Sequence, residues 1–271
     1  MPLITISRPM GSLGKDIAVR LSDKLNYEYL DRDKIGEALA DYGFPESELG
    51  LFEQKKPSWW LSFSTDKQKF LHFLRGVVYD FSKEKNAVIL GLGAQVILKD
   101  MTNAFHVKIN APFDVRLKRI MERKGDDEMH VEMLLKDTDR DNYGWMRYLY
   151  DVDWNDMSLY DTMINTGKVP VDTAVQMISD AIHTPELKEM EKSGEERLAD
   201  RTIVHKIEAI LMELGRSKIQ DYDIRCSKGV VTLIGTVSSI KAKEKIELKI
   251  AEVNGVKKQV NQLLLKPRSV A

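Results

Sequence analysis

The stretch Leu3-Ile4-Thr5-Ile6-Ser7-Arg8-Pro9-Met10-Gly11-Ser12-Leu13-Gly14-Lys15-Asp16-Ile17-Ala18 decides how this chain is read. Its apolar start predicts a β-strand over residues 3–7, its prolyl and glycyl centre a loop, and its continuation an amphipathic helix over about 14–25. Strand, glycine-containing loop and helix in that order can form a phosphate cradle. Backbone N–H groups and the positive helix end then face an anion, and a lysine reaches its terminal oxygens. Against the pattern G-x-x-x-x-G-K-[ST], Gly14 and Lys15 fit, while Pro9 replaces the first glycine and Asp16 the hydroxyl residue. Two readings stay open on these residues alone. One is a loop binding phosphate through Gly11, Ser12, Gly14 and Lys15; the other is an ordinary strand-to-helix turn with a surface lysine.

Outward from this loop the pattern repeats. Short apolar strands are predicted over 27–30, 87–90, 104–109 and 162–164, and amphipathic helices over about 32–42, 67–85, 112–124, 128–150 and 171–182. Alternating strands and helices predict an α/β fold, a doubly wound parallel sheet with helices on both faces. Residues 184–198 hold few large apolar side chains and clustered charge, and read as a charged linker that is part helical. After it the order becomes helix, strand, strand, helix, strand, with the turn Ser227-Lys228-Gly229 suited to a hairpin. That order predicts a second, smaller α+β domain over 199–268.

Composition narrows the class. With 271 residues, 43% hydrophobic and 31% charged, the chain suits two globular domains rather than a fibrous or disordered protein. No window approaches the roughly 18 consecutive apolar residues of a membrane span, and the lone Cys226 cannot form an internal disulfide. A cytoplasmic setting is expected. The net charge of −1 hides an asymmetry of +6 over residues 198–271 against −7 over 1–197, so the two parts face different partners.

Several motifs, taken together, resemble the cytidylate kinase-like family of P-loop nucleoside monophosphate kinases. They are Ile6-Ser7-Arg8-x-x-Gly11-Ser12-x-Gly14-x-x-Ile17-Ala18, Tyr29-Leu30-Asp31-Arg32, Gly91-x-Gly93-Ala94 and Ala111-Pro112-x-x-Val115-Arg116-x-x-Arg119. Asp137-x-x-Arg140, Asp153-Trp154, Leu159-Tyr160-Asp161 and Ile164-Asn165-Thr166 continue the series in the family's order. The resemblance covers residues 1–183. It implies a P-loop kinase-like fold and transfer of a phosphoryl group from a nucleoside triphosphate such as ATP, with Mg²⁺, to a monophosphate.

The resemblance also implies roles. Gly11, Ser12, Gly14 and Lys15 would hold donor phosphates, with Lys15, Arg119 and Arg140 acting on the transferring group. Asp31, Arg32, Arg75, Arg116, Asp137 and Arg147 would meet the acceptor or close over both nucleotides. Cations are the chemistry such a transfer needs, because its transition state gathers negative charge on phosphoryl oxygens. Arg116, Arg119 and Arg123 share one helical face, which can equally be a solvated surface. The family's Gly-Arg-Gly is Gly91-Leu92-Gly93 here, and Arg75 on the preceding helix is the candidate to replace the missing cation. Without a hydroxyl residue at 16 or an acidic end to strand 87–90, the metal ligands cannot be named. Trp59 and Trp60, in the irregular stretch 57–63, could stack a base, dock a partner or pack as a flap. His72, His106 and His130 lack metal-ligand spacing.

The strand Val231-Thr232-Leu233-Ile234-Gly235-Thr236-Val237 and the turn Asn254-Gly255-Val256 resemble the BON domain, which implies a ligand-binding or phospholipid-binding module. Lys241, Lys245 and Lys249 recur every four residues as a basic stripe, suited to an anionic phospholipid, nucleic acid or an acidic protein face, or to solubility alone. Three functions stay open: a nucleoside monophosphate kinase-type phosphotransferase with an accessory BON domain, a decayed nucleotide sensor that reports to that domain, or a scaffold that binds no nucleotide, its loop merely a turn.

Overall fold

The structure, a computed structural model, describes residues 2–41, 67–84, 86–215 and 219–266. The tryptophan-bearing stretch 57–63 lies outside them. The chain divides into two compact units, Met1–Gly194 and Glu195–Ala271.

The first unit is built on β1 (Leu3–Ser7), β2 (Glu28–Leu30), β3 (Ala87–Leu90), β4 (Ala104–Asn110) and β5 (Thr162–Asn165). They form one sheet in the order β2-β3-β1-β4-β5, every pairing parallel. All of β1 and β3 is buried, as is β4 but for its last residue, whereas β2 and β5 carry exposed residues at the sheet edges. Continuous apolar runs mark strands covered on both faces, which is why the central three were legible as runs. Helices α1 (Gly14–Leu25), α2 (Arg32–Asp41), α3 (Lys67–Glu84), α4 (Ala94–Ile97), α5 (Phe113–Lys124), α6 (Glu128–Tyr150) and α7 (Val171–Ile182) flank the sheet. From α1, Ile17, Ala18 and Leu21 meet Ala174, Val175, Ile178 and Ile182 of α7 over Ile4, Ile6, Val107 and Ile109.

The predicted doubly wound parallel sheet is therefore present. Because β1 lies between β3 and β4, the connections diverge on either side of its carboxyl end, and that is where such sheets bind ligands. The loop after β1 sits at this point.

The stretch 184–198 is helical from Pro185 onward, as part of α8 (Pro185–Leu214). Its Glu, Lys, Leu and Met are strong helix formers, and propensity outweighs the single Gly194. In the second unit, β6 (Ile219–Ser227) and β7 (Val230–Val237) pair antiparallel, and β8 (Lys258–Leu265) joins β7 in parallel through α9 (Ile240–Ala251). Val231, Leu233 and Val237 turn inward against Ile203, Ile207 and Leu211 of α8 and Ile246 and Ile250 of α9. The hairpin turn puts Lys228 and Gly229 in left-handed conformations, φ 51° and 79°, as a two-residue I′ turn requires. Asp200 caps it, accepting from the amides of Lys228 at 2.7 Å and Gly229 at 2.9 Å.

Candidate functional site

The loop from Arg8 to Leu13 is held from behind by its carbonyls. Pro9 O accepts from Ser12 Oγ at 2.9 Å, and Met10 O from Arg116 Nη1 at 3.2 Å. Gly11 O accepts from Arg119 Nη1 at 3.3 Å, and Ser12 O from Thr166 Oγ1 at 2.9 Å. Arg119 also donates to Thr166 O at 2.7 Å and Thr166 Oγ1 at 3.0 Å, tying the turn after β5 to the loop after β1. Four successive carbonyls are thus engaged, and of the amides that of Ser12 turns back to Pro9 O at 3.4 Å. Leu13, at φ 63°, begins α1 without a side-chain cap, so first-turn N–H groups have no intrahelical acceptor. A helix start of this kind is the geometry in which proteins commonly hold anions.

The cations around it fall into distinct places. Arg116 is buried and makes a two-pronged pair with Asp139, Nη1 to Oδ1 at 3.1 Å and Nη2 to Oδ2 at 2.8 Å. Predicted to face substrate, it is instead committed to Asp139 and the loop carbonyl; the helical spacing could not show that a main-chain oxygen lay within reach. Lys15 is 66% exposed at the rim, 3.7 Å from Asp31. Asp31 caps α2, its Oδ1 accepting from the amides of Asp33 and Lys34. Arg32 is desolvated beside it, its pKa lowered by burial and by the charge of Arg8, with Asp33 opposing.

Arg8 carried no predicted role. Its stem crosses Gly14 so closely that a Cβ added there would lie 2.6 Å from its Cβ and 2.7 Å from its Cγ. A Cβ at Gly91 would collide with its Nη1. Burial lowers the Arg8 pKa, and Tyr29 and Asp31 partly offset that.

On the other side of the loop, Arg140, Tyr143, Gly144, Arg147, Val152, Asp153 and Trp154 line an open cavity of about 360 Å³. Arg140 pairs with Asp137 at 2.9 Å on the surface of α6. The cavity therefore unites the predicted Arg140 and Arg147.

Trp154 reaches the loop through its Nε1, which donates to Ser7 Oγ at 2.7 Å. Lys108, paired with Ser7 in the β1–β4 register, is buried and donates to Trp154 O at 2.7 Å and Asn155 Oδ1 at 2.8 Å. Burial pulls its pKa down to about 8, against the charge of Asp153. Arg75 lies near Tyr150, whose hydroxyl donates to Leu92 O at 2.6 Å; burial raises the Tyr150 pKa and the charge of Arg75 opposes the rise.

The cradle fits a nucleotide phosphate. Mg²⁺ beside a nucleotide is held mostly by phosphate and water oxygens with one or two carboxylates; Asp31, the carboxylate near Lys15, is engaged in capping α2. His106 is a core histidine bonded to Thr5 Oγ1 at 2.8 Å.

Comparison with known proteins places the chain in a family. The profile described as the cytidylate kinase-like family matches residues 3–168, and that of the BON domain matches 199–267. A cytidylate kinase of Saccharolobus islandicus is 27% identical over 183 residues, covering 65% of this chain and 88% of the relative. One from Staphylothermus marinus is 26% identical over 186 residues, covering 67% and 97%. A crystal structure of an uncharacterized protein from Eubacterium ventriosum superposes with a TM-score of 0.55 at 26% identity, covering 68% of this chain and 99% of its own.

Proposed function

This chain belongs to the cytidylate kinase-like family and carries a BON domain, and from that premise we propose that it is a nucleoside monophosphate kinase-type phosphotransferase. The observation that supports the reading is the loop of residues 9–12, each of whose carbonyls accepts from a side chain, followed directly by the uncapped N-terminus of α1. Positioned amides and cations are what phosphoryl transfer needs from a protein, because the reaction asks for little covalent chemistry.

In this proposal ATP lays its phosphates on Gly11, Ser12, Gly14 and the start of α1, with Arg119 fixing the cradle from behind. The acceptor monophosphate lies toward Asp31, Arg32 and Arg75, and Arg140 and Arg147 close from the cavity on α6. The units 1–183 and 199–268 are proposed as separately folding domains in the cytoplasm, the second meeting anionic phospholipid through Lys241 and Lys245. Those two lysines flank a cavity of about 190 Å³ with Leu214, Ser238, Ser239 and Ala242, whereas Lys249 is paired with Glu213 at 3.0 Å.

The test is a coupled assay for ADP release with ATP, Mg²⁺ and each of CMP, dCMP, UMP, AMP and GMP. Turnover with one acceptor well above the water-only rate supports the kinase. Leu92, in place of the family's arginine, favours a second reading, a nucleotide sensor. Saturable ATP binding with no acceptor turned over would establish that one.

A further inference from the structure

Two cations belong to the loop, and the structure separates them. Lys15, the residue that pattern matching singles out, stands at the rim, mostly exposed and near a carboxylate. Arg8 leaves the end of β1, runs its stem over the first residue of α1, and ends against Gly91 at the end of β3. A side chain on residue 14 would have to occupy the space that Arg8 fills, so Gly14 and Arg8 are two halves of one arrangement. Among the described residues the Arg8 guanidinium makes no hydrogen bond or ion pair, although Tyr29 and Asp31 are near enough to favour its charge. The charge of Arg8 disfavours that of the desolvated Arg32. Adjacent guanidiniums withdrawn from water are relieved when an anion enters between them.

We propose that Arg8, rather than Lys15, is the phosphate-binding cation of this loop, donating to a phosphoryl oxygen of the bound nucleotide between Gly14 and Gly91. The proposal rests on the phosphotransferase reading and adds to it the residue that replaces the lysine of the usual pattern. It also accounts for Leu92. A guanidinium arrives at the Gly91–Gly93 turn from β1, so that turn does not need to supply its own. An arginine suits the place because its planar fork can bond two phosphoryl oxygens at once.

Calorimetric titration of the full chain with ATP and, separately, with CMP tests this. Arg8→Met keeps the stem over Gly14 and removes the charge. Loss of one charged hydrogen bond should weaken binding about tenfold to a hundredfold, while Lys15→Ala should stay within about threefold. Loss confined to ATP assigns the donor phosphates, loss confined to CMP the acceptor phosphate, and either supports the proposal. The double substitution Arg8→Gly with Gly14→Lys sends a cation into the same space from the helix side, and should regain the affinity that Arg8→Gly alone loses. If Arg8→Met does not fold, that pair decides: a folded double variant without recovery overturns the proposal. Equal losses in Arg8→Met and Lys15→Ala, or a loss in Lys15→Ala alone, overturn the proposal and leave the phosphotransferase reading standing. Wild-type protein that binds neither nucleotide overturns both together.

Discussion

Trp154 Nε1 donates to Ser7 Oγ across 2.7 Å, and this bond joins the wall of the Arg140–Arg147 cavity to the last residue before the phosphate loop. The Lys108 ammonium lies 4.6 Å from the Trp154 ring centre and 5.1 Å from that of Tyr160, while it holds the Trp154 carbonyl. One buried charge therefore braces both the backbone and the rings of residues 154–160.

Lys108 should make that brace pH-dependent. Burial lowers its pKa from 10.5 to about 8. Between those values the unfolded chain binds the proton that the folded chain has released, so this group's contribution to stability rises with pH there, by up to about 1.4 kcal/mol per pH unit. Below about 8 both states are charged and the burial cost is fully felt. Urea melts at pH 7 and 9.5 should show this slope in wild type and not in Lys108→Met. Trp154 emission should shift with a midpoint near pH 8 and lose the shift in the same variant. Parallel pH dependences in the two proteins would refute the assignment.

The Arg116–Asp139 pair should behave as a structural tie. Removing one partner of a buried pair costs about 3–5 kcal/mol, less where a partner is partly exposed, as Asp139 is. Arg116→Met should lower stability by about 3 kcal/mol in urea melts, and weaken ATP binding through a loosened Met10. An Arg116→Met protein of wild-type stability that loses only monophosphate affinity would return Arg116 to the acceptor site.

The lysines of α9 carry the proposed lipid contact unequally. Lys249 is engaged with Glu213, leaving Lys241 and Lys245 beside the cavity. A basic residue near an anionic membrane contributes about 1 kcal/mol. Full-chain Lys241→Glu with Lys245→Glu should therefore sediment with phosphatidylserine vesicles at least tenfold less than wild type at low salt, and Lys249→Ala should match wild type. Wild-type protein that stays in the supernatant rules out the lipid contact.

Much of this architecture is readable before any coordinates, and the reason differs from element to element. Leu3–Ser7 and Ala87–Leu90 stand out because strands buried on both faces are mostly apolar, only Thr5 and Ser7 interrupting the two runs. Ala94–Ile97 was missed, since four residues are too few for a helical period to show. The start of β6 hides because an edge strand may carry Gln220 and Asp221 to solvent. At the site, sequence names the loop but not what its cations touch. Spacing put Arg116 and Arg119 on one face of α5, yet it says nothing of which carbonyls lie opposite them. Adjacency to Gly14 drew attention to Lys15, whereas contact across the loop selects Arg8. Lys108 reads as one polar residue in an apolar strand until Trp154 folds over it.

Cys226 gives the second unit a chemical reporter. Burial and the carboxylate of Asp200, 3.1 Å from its Sγ, push the thiol up to about 12, so almost none is thiolate at neutral pH. The same carboxylate caps the Lys228–Gly229 turn. Asp200→Asn keeps a side-chain oxygen for one turn amide but removes the charge that opposes the thiolate, and this should lower the thiol pKa. As the thiolate is the nucleophile, iodoacetamide labelling at pH 8, followed by mass spectrometry, should be at least several-fold faster in Asp200→Asn than in wild type. Cys226 is the chain's sole cysteine, so the added mass has one address. A turn that merely opened would also raise labelling, but would bring faster amide exchange at Lys228 and Gly229 throughout the hairpin. Faster labelling with exchange unchanged in the hairpin beyond the one turn amide that loses its acceptor isolates the charge, and equal labelling in the two proteins would show that Asp200 does not control this thiol.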